Sequence, residues 1–108
     1  MSVLLGLSIF PVDQGESLSA FVTPVVDLIA SSGHAYQLTA MGTLVETPDI
    51  GQATALIAAA HGLLAELGRH RVYATAKLDS RDGPVGRLKA KTDSVERRLS
   101  GSRNRNAD

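Results

Sequence analysis

Short polar side chains and two aromatic rings recur at alternating positions in four extended segments of the sequence. Hydroxyls, an amide, a carboxylate and an ammonium group together offer hydrogen-bond donors and acceptors, and aromatic rings can stack on a flat ligand. A rigid sheet carrying such a set can orient a small polar molecule. It suits a hydrated interface between subunits equally well, and both interpretations stay open at this point. The members are Ser8, Phe10, Gln37, Thr39, Glu46, Tyr73, Thr75 and Lys77.

The residue types needed for catalysis are sparse. Cysteine is absent, which excludes disulfides and thiol nucleophiles. The three histidines, His34, His61 and His70, have no metal-ligand spacing, and no phosphate-binding or nucleophile motif occurs. Glu46 has no second carboxylate in a predictable pairing. We therefore predict a binding protein with no catalytic residue, metal or cofactor, and keep an enzyme acting on a small heterocycle as a minor alternative.

The periodicity of apolar residues predicts the elements that position this set. Period-two alternation indicates strands, and a 3.6-residue period indicates helices. In the last strand, Val72, Ala74, Ala76 and Leu78 form the expected core row. Asp49 is the expected N-cap of the second helix and Gly68 its stop. The predicted elements are a strand over 2–10, a helix over 17–32, two strands within 34–47 around a bend at Met41-Gly42, a helix over 50–67, a strand over 70–79 and a helix over 86–99.

This order predicts an α+β fold of the ferredoxin-like βαββαβ type. Right-handed crossovers place both main helices on one face of a four-stranded antiparallel sheet, and a C-terminal helix follows. The polar set then lies on the opposite face, where Ser8, Gln37, Glu46 and Lys77 converge. We predict one domain over residues 1–99 and a disordered polar tail over 100–108.

Charge and hydropathy limit the classes of partner that we expect for this protein. Residues 1–68 carry six acidic residues and no Lys or Arg, whereas residues 69–108 carry eleven basic and five acidic residues. The basic part lacks interleaved aromatic residues, so we expect no nucleic-acid binding. No apolar run is long enough to span a membrane, and we expect a cytoplasmic protein. A monomer would expose Phe10, Leu44 and Tyr73 together, which favours a homo-oligomer.

Two tracts of the sequence resemble the small YkoF-like, thiamine-binding protein family. The first is Tyr36-Gln37-Leu38-Thr39-Ala40-Met41-Gly42-Thr43-Leu44-Val45-Glu46. The second runs over 71–81, and lesser similarities lie at Ser8, Pro11, His61, Lys91 and Val95. The resemblance covers roughly residues 2–99.

The resemblance implies a ferredoxin-like fold, assembly through the sheets as a dimer or tetramer, and binding of thiamine or its pyrimidine portion without transformation. It adds Met41, Gly42 and Thr43 to the expected site. Glu46 would balance the thiazolium cation or accept from the exocyclic amine, and Phe10 or Tyr73 would stack on a ring. Lys77 would repel the thiazolium and is expected to pair with Glu46 or to meet a phosphate on the ligand. The alternative function is a structural or regulatory module whose sheet face serves only oligomerisation.

Overall fold

A computed structural model describes residues 1–12, 19–88 and 97–99 of the chain. Its elements follow the predicted order. Two predictions fall wholly or partly outside the described residues. They are the start of the first helix at 17, and most of the C-terminal helix over 86–99 together with the tail over 100–108. The elements are β1 (Ser2–Pro11), α1 (Ser19–Ser31), β2 (Tyr36–Thr39), β3 (Gly42–Thr47), α2 (Ile50–Glu66) and β4 (Val72–Arg81).

The four strands form one antiparallel sheet in the order β2-β3-β1-β4. Both helices pack on one face of the sheet, which confirms the predicted ferredoxin-like α+β fold. β1 is central and alternates: Val3, Leu5, Leu7 and Ile9 are buried against the helices. Their partners in the core are Val25 and Ile29 of α1, Val45 of β3, and Ala53, Leu56, Ala60 and Leu64 of α2.

Both ends of α2 follow local rules. The Asp49 carboxylate accepts from the Gln52 N–H at 2.8 Å, as an N-cap does. At the other end the Arg69 N–H donates to the Leu64 carbonyl and the Gly68 N–H to the Ala65 carbonyl. Gly68 has a φ of 82°, so this is a Schellman motif. The predicted cap and stop are confirmed.

The expected core row of β4 is wrong. Val72 is partly buried, but Ala74 and Ala76 are exposed and Leu78 is 44% exposed. The reason is that the buried residues of both helices gather over β1 and β3, and the small side chains of β4 lie at the edge of that layer. β4 is therefore a ten-residue edge strand, exposed on both faces over most of its length.

No helix among the described residues is both long and apolar enough to cross a membrane.

The β2–β3 hairpin turns through Ala40 and Met41. The Thr39 hydroxyl donates to the Gly42 carbonyl at 2.8 Å and accepts from the Met41 N–H at 3.2 Å. Gly42 has a φ of 143°, and a Cβ there would lie 2.8 Å from the Leu7 carbonyl oxygen. The glycine is thus required twice, by its backbone conformation and by the close approach of β1.

Replacing Gly42 with alanine should destabilise the fold by about 1–3 kcal/mol, because the backbone conformation and the Leu7 carbonyl both oppose a side chain. Urea unfolding followed by circular dichroism measures the change. Gly62→Ala is the matched control, since a methyl group at this helical position meets no atom within 4 Å. It should stabilise by about 0.5–1 kcal/mol. Equal stability of the two variants would contradict the assignment.

Candidate functional site

The candidate site is the open face, defined here as the side of the sheet opposite α1 and α2. The strand register places the predicted side chains in rows across this face. Ser8 lies opposite Thr75, and Gly6 lies between Leu44 and Lys77. Gln37 continues that row beyond Leu44. The structure therefore brings Ser8, Gln37 and Lys77 to one face, and Glu46 lies in the next row beside Leu4 and Asp79.

A polar cleft of about 370 Å³ occupies the half of the open face near the hairpin. Ser8, Thr39, Thr75 and Lys77 line it, with Met41 at its rim. Met41 is 88% exposed. The walls thus combine short hydroxyls with one ammonium group, which can direct hydrogen bonds to a small polar ligand.

An apolar cleft of about 370 Å³ occupies the other half of the open face. Its aliphatic lining includes Leu4, Leu44, Leu78 and Leu88, and its polar lining is Gln37, Lys77 and Asp79. Gly6 belongs to both clefts. A Cβ at Gly6 would lie 3.5 Å from Leu44 Cδ2 and 4.0 Å from Lys77 Cβ. The missing side chain is therefore what leaves room in the middle of the platform.

An aromatic pair closes the end of β1 on the same face. The rings of Phe10 and Tyr73 have centroids 5.8 Å apart and are tilted by 39°. Tyr73 is 59% exposed. The pair offers the stacking surface that the sequence predicted, within a few residues of the polar cleft.

Glu46 differs from the expectation that it balances a ligand cation, accepts from the ligand's amine or pairs with Lys77. Its side chain is only 5% exposed, and both oxygens accept hydrogen bonds from the protein. Oε2 accepts from the Ser2 hydroxyl at 2.5 Å and from the N–H groups of Gly86 at 2.8 Å and Arg87 at 3.1 Å. Oε1 accepts from the Leu88 N–H at 3.2 Å. Glu46 therefore caps the start of a helical segment that follows β4, and it does not pair with Lys77.

The Arg87 side chain completes this attachment. Its guanidinium donates to the Ser2 carbonyl at 2.7 Å, to the Ser2 hydroxyl at 3.1 Å and to the Asp79 carbonyl at 2.8 Å. It also forms an ion pair with the Asp79 carboxylate at 3.2 Å. We call the set of Ser2, Glu46, Asp79 and Arg87 the C-terminal latch. It fixes Leu88 over the apolar cleft.

Sequence reasoning missed the latch, although one signal for it exists. The residues before the helical segment, Gly83 to Gly86, include no Ser, Thr, Asp or Asn that could cap it locally. A helix start without a local cap needs another acceptor for its N–H groups. Nothing in the sequence says that this acceptor is Glu46, forty residues earlier.

The environment of Glu46 has opposing effects on its pKa. Burial raises the pKa of the carboxyl, but the hydrogen bonds from Ser2, Leu88, Arg87 and Gly86 outweigh burial. The net pKa lies below the ordinary value. The charged form is therefore the one that the latch stabilises.

Thr43 requires a correction. The sequence analysis grouped its hydroxyl with those of the expected site, but Thr43 lies opposite Leu7 in the register and is 5% exposed. Its side chain faces the helices rather than the open face. Thr43 lines both the polar cleft and a second cavity beneath the hairpin that α1 bounds.

Among residues 1–12, 19–88 and 97–99, no three His, Asp or Glu side chains gather as a metal site would require. The clefts of the open face are lined by amide, hydroxyl, ammonium, carboxylate and aliphatic groups, and an aromatic pair lies near them. Such groups can bind a small molecule by hydrogen bonding and stacking.

Comparison with known proteins assigns the family. A family model described as thiamine-binding protein matches residues 5–96. The chain belongs to this thiamine-binding protein family. The resemblance seen in the two sequence tracts is thereby confirmed, and the family is named for binding rather than for a reaction.

Two curated relatives are similar to this chain in sequence, and a solved structure is similar to it in fold. A UPF0045 protein of Methanothermobacter thermautotrophicus is 32% identical over 83 residues, covering 77% of this chain and 84% of the relative. A UPF0045 protein of Mycobacterium tuberculosis is 32% identical over 99 residues, covering 92% and 96%. A Thermotoga maritima crystal structure, whose name suggests a role in thiamine biosynthesis or salvage, has a TM-score of 0.75 at 17% identity and covers 88% of this chain and 99% of its own.

Glu46→Gln should destabilise the fold by about 1–3 kcal/mol at pH 7, because the amide replaces a charged acceptor and places N–H against N–H in a buried position. The folded-state pKa is lowered, so the contribution of the carboxylate is complete above its unfolded pKa of about 4.3 and is lost as pH falls through the lower folded value. The difference in the free energy of unfolding between Glu46→Gln and wild type should therefore shrink below about pH 4. Chemical unfolding at a series of pH values measures it.

Glu66→Gln, at an exposed position near the end of α2, is the control and should change stability little at any pH. If the loss in unfolding free energy caused by Glu46→Gln did not diminish in acid, the latch would not depend on the charge of the carboxylate.

Proposed function

We propose that this protein binds thiamine, or its pyrimidine portion, on the open face of the sheet without transforming it, and that it works as a homo-oligomer. The observation that carries the proposal is a platform whose floor lacks a side chain at Gly6 and whose rim combines Gln37, hydroxyls and an aromatic pair. Membership of the thiamine-binding protein family supports the choice of ligand.

The latch changes how the cationic thiazolium ring is accommodated. Glu46 is enclosed by protein donors, and Asp79 is paired with Arg87. The exposed aromatic pair of Phe10 and Tyr73 remains as the group on this face that attracts a cation, through its ring faces. The thiazolium therefore binds at the aromatic end of the face, away from Lys77. The amide of Gln37 and the hydroxyls of Ser8 and Thr75 supply polar contacts.

Lys77 distinguishes the forms of the ligand. It lines both clefts and has no hydrogen-bond or ion-pair partner within the part of the chain that the structure describes. An ammonium group in this position repels the thiazolium but attracts phosphate. A phosphorylated thiamine therefore has one more favourable contact than thiamine itself.

Gly6→Val should strongly weaken the binding of thiamine and its phosphates on the open face while keeping the fold, because the branched side chain fills the floor shared by both clefts. Valine is favoured in strands, and Gly6 is not in the left-handed region, so the variant should be at least as stable as wild type. Isothermal titration calorimetry with thiamine, its phosphates and the free aminopyrimidine measures binding.

Gly62→Ala serves as the control, since it lies in α2 away from the open face and should bind as wild type does. No heat from wild type with any of these ligands at millimolar concentration would defeat the proposed function. Turnover of thiamine in the same samples would instead support an enzyme.

The exposed edge of β4 supports the proposal that the protein forms a homo-oligomer. Oligomer formation is also the basis of the alternative function, a structural or regulatory module. The Val12 N–H donates to the Arg71 carbonyl at 3.0 Å. In the same register odd-numbered residues of β4 therefore bond to β1, and even-numbered residues direct their N–H and C=O groups away from the sheet. A long edge of this kind is normally covered. An antiparallel β4 of a second copy would satisfy it.

Ala76→Pro should shift the protein from an oligomer towards a monomer, because proline removes an outward N–H without affecting the ladder to β1. Light scattering at several concentrations measures the mass. Ala76→Val retains the N–H and is the matched control, which should assemble as wild type does. A wild-type protein that is monomeric would contradict the proposed homo-oligomer. The proposed ligand binding would then be tested by calorimetry alone.

A further inference from the structure

The two neighbours of β1 cover unequal lengths of it. Pairing with β4 extends from Ser2 to Pro11, whereas pairing with β3 ends at Leu7 opposite Thr43. The hairpin turn at Ala40 and Met41 then carries the chain away. Beyond Leu7, no strand of the described residues lies beside the edge of β1 that faces the hairpin. We call this gap the notch.

The hydrogen-bond parity of β1 shows which peptide groups face the notch. Val12 bonds to Arg71 of the β4 side, so even-numbered residues of β1 bond to β4 and odd-numbered residues bond to β3. Ile9 is the odd-numbered residue that follows Leu7. Both its N–H and its C=O point into the notch, and no strand among the described residues lies opposite them.

Ile9 has little access to solvent, because only 7% of its surface is exposed. Buried backbone amides are nearly always paired with protein, water or a ligand. Within the described residues, the Ile9 N–H and C=O therefore form a donor beside an acceptor on a rigid strand, which suits a partner that presents an acceptor beside a donor.

A cavity of about 320 Å³ lies beside this part of β1 and is lined by Leu7, Ser8, Ile9 and Phe10. Val22, Val25 and Ile29 of α1 form one wall, and Leu38 and Met41 of the hairpin form another. A mostly apolar cavity with a few convergent polar groups is the usual form of a small-molecule site. Its volume accommodates a single substituted six-membered ring.

We propose that the notch binds the edge of a flat heteroaromatic ring that carries an amino group next to a ring nitrogen. The Ile9 N–H donates to the ring nitrogen, and the Ile9 C=O accepts from the amino group. The inference rests on the proposed function, because the aminopyrimidine of thiamine has such an edge. The ring replaces the residue that a longer β3 would have placed opposite Ile9.

The notch is continuous with the polar cleft of the open face. Ser8, Thr39 and Gly42 line both spaces, and Phe10 lines the notch while its ring packs on Tyr73. A ligand of two linked rings can therefore place the aminopyrimidine in the notch and the cationic ring on the aromatic pair.

The first test fills the notch from its helical wall. Val26 of α1 lines the cavity and is partly buried. Val26→Phe should weaken binding of the free aminopyrimidine at least about tenfold, because a single ring and a phenylalanine side chain compete for the same space. Thr23→Phe, at an exposed position of the same helix outside the cavity, is the control and should bind as wild type does. Calorimetry measures both, with circular dichroism to show that each variant is folded.

The second test needs no variant. In the amide spectrum of nitrogen-15-labelled wild-type protein, the free aminopyrimidine should shift the Ile9 N–H resonance downfield. An analogue lacking the amino group should bind roughly tenfold more weakly, because the Ile9 C=O then stays unpaired. This measurement decides the question even if Val26→Phe fails to fold.

The outcomes separate the notch from the proposed function. Thiamine binding that shifts the amides of Gly6 and Lys77 but not that of Ile9 would overturn the notch and leave the open-face function standing. Unchanged aminopyrimidine affinity in a folded Val26→Phe variant would also overturn it. Absence of binding by wild type to any of the ligands would overturn both.

Discussion

The alternation of β1 between two partners governs the rest of the structure. Its even-numbered residues bond to β4 and its odd-numbered residues to β3, so the strand is held from both sides through Leu7. The same alternation sends Val3, Leu5, Leu7 and Ile9 under the helices. It sends Gly6, Ser8 and Phe10 to the open face. The core, the platform and the notch are therefore three consequences of one strand and its register.

The latch links the start of β1 to the segment that follows β4. A carboxylate that is taken out of water needs compensation from charge or hydrogen bonds, and Glu46 receives four hydrogen bonds. Arg87 lies beside it and bonds to Ser2 and Asp79. The negative charge of Glu46 is thus used to hold the segment after β4 against the sheet.

The exposed edge of β4 and the clefts of the open face are both surfaces that a binding partner would cover. A long open strand edge leaves backbone N–H and C=O groups without strand partners, and a half-apolar face exposes hydrophobic side chains to water. Homo-oligomer formation would cover the edge, and a small ligand would occupy the clefts. The two requirements involve neighbouring but different parts of the sheet, so that assembly and ligand binding are compatible.

Local rules were sufficient for much of the fold. The period-two rows of β1, the Asp49 cap and the Gly68 stop depend on residues a few positions apart, and each was predictable. The open-face positions of Ser8, Gln37 and Lys77 followed from alternation and the order of elements. The family resemblance rested on two tracts and was sound.

Other features involve residues far apart in the sequence. Glu46 meets Gly86 across forty residues, and no local pattern specifies that encounter. Thr43 was assigned to the site from its side-chain type, although the register places it on the helix side. The exposure of β4 depends on where the helices lie across the sheet.

The sequence by itself determined the order of elements, both ends of α2 and the two faces of β1, because these follow from hydrogen bonds and side-chain periodicity over short spans of chain. Tertiary structure alone decided which carboxylate is enclosed, which edge is left open and where β3 ends beside β1. Those features depend on the relative lengths and register of strands that come together only when the chain is folded.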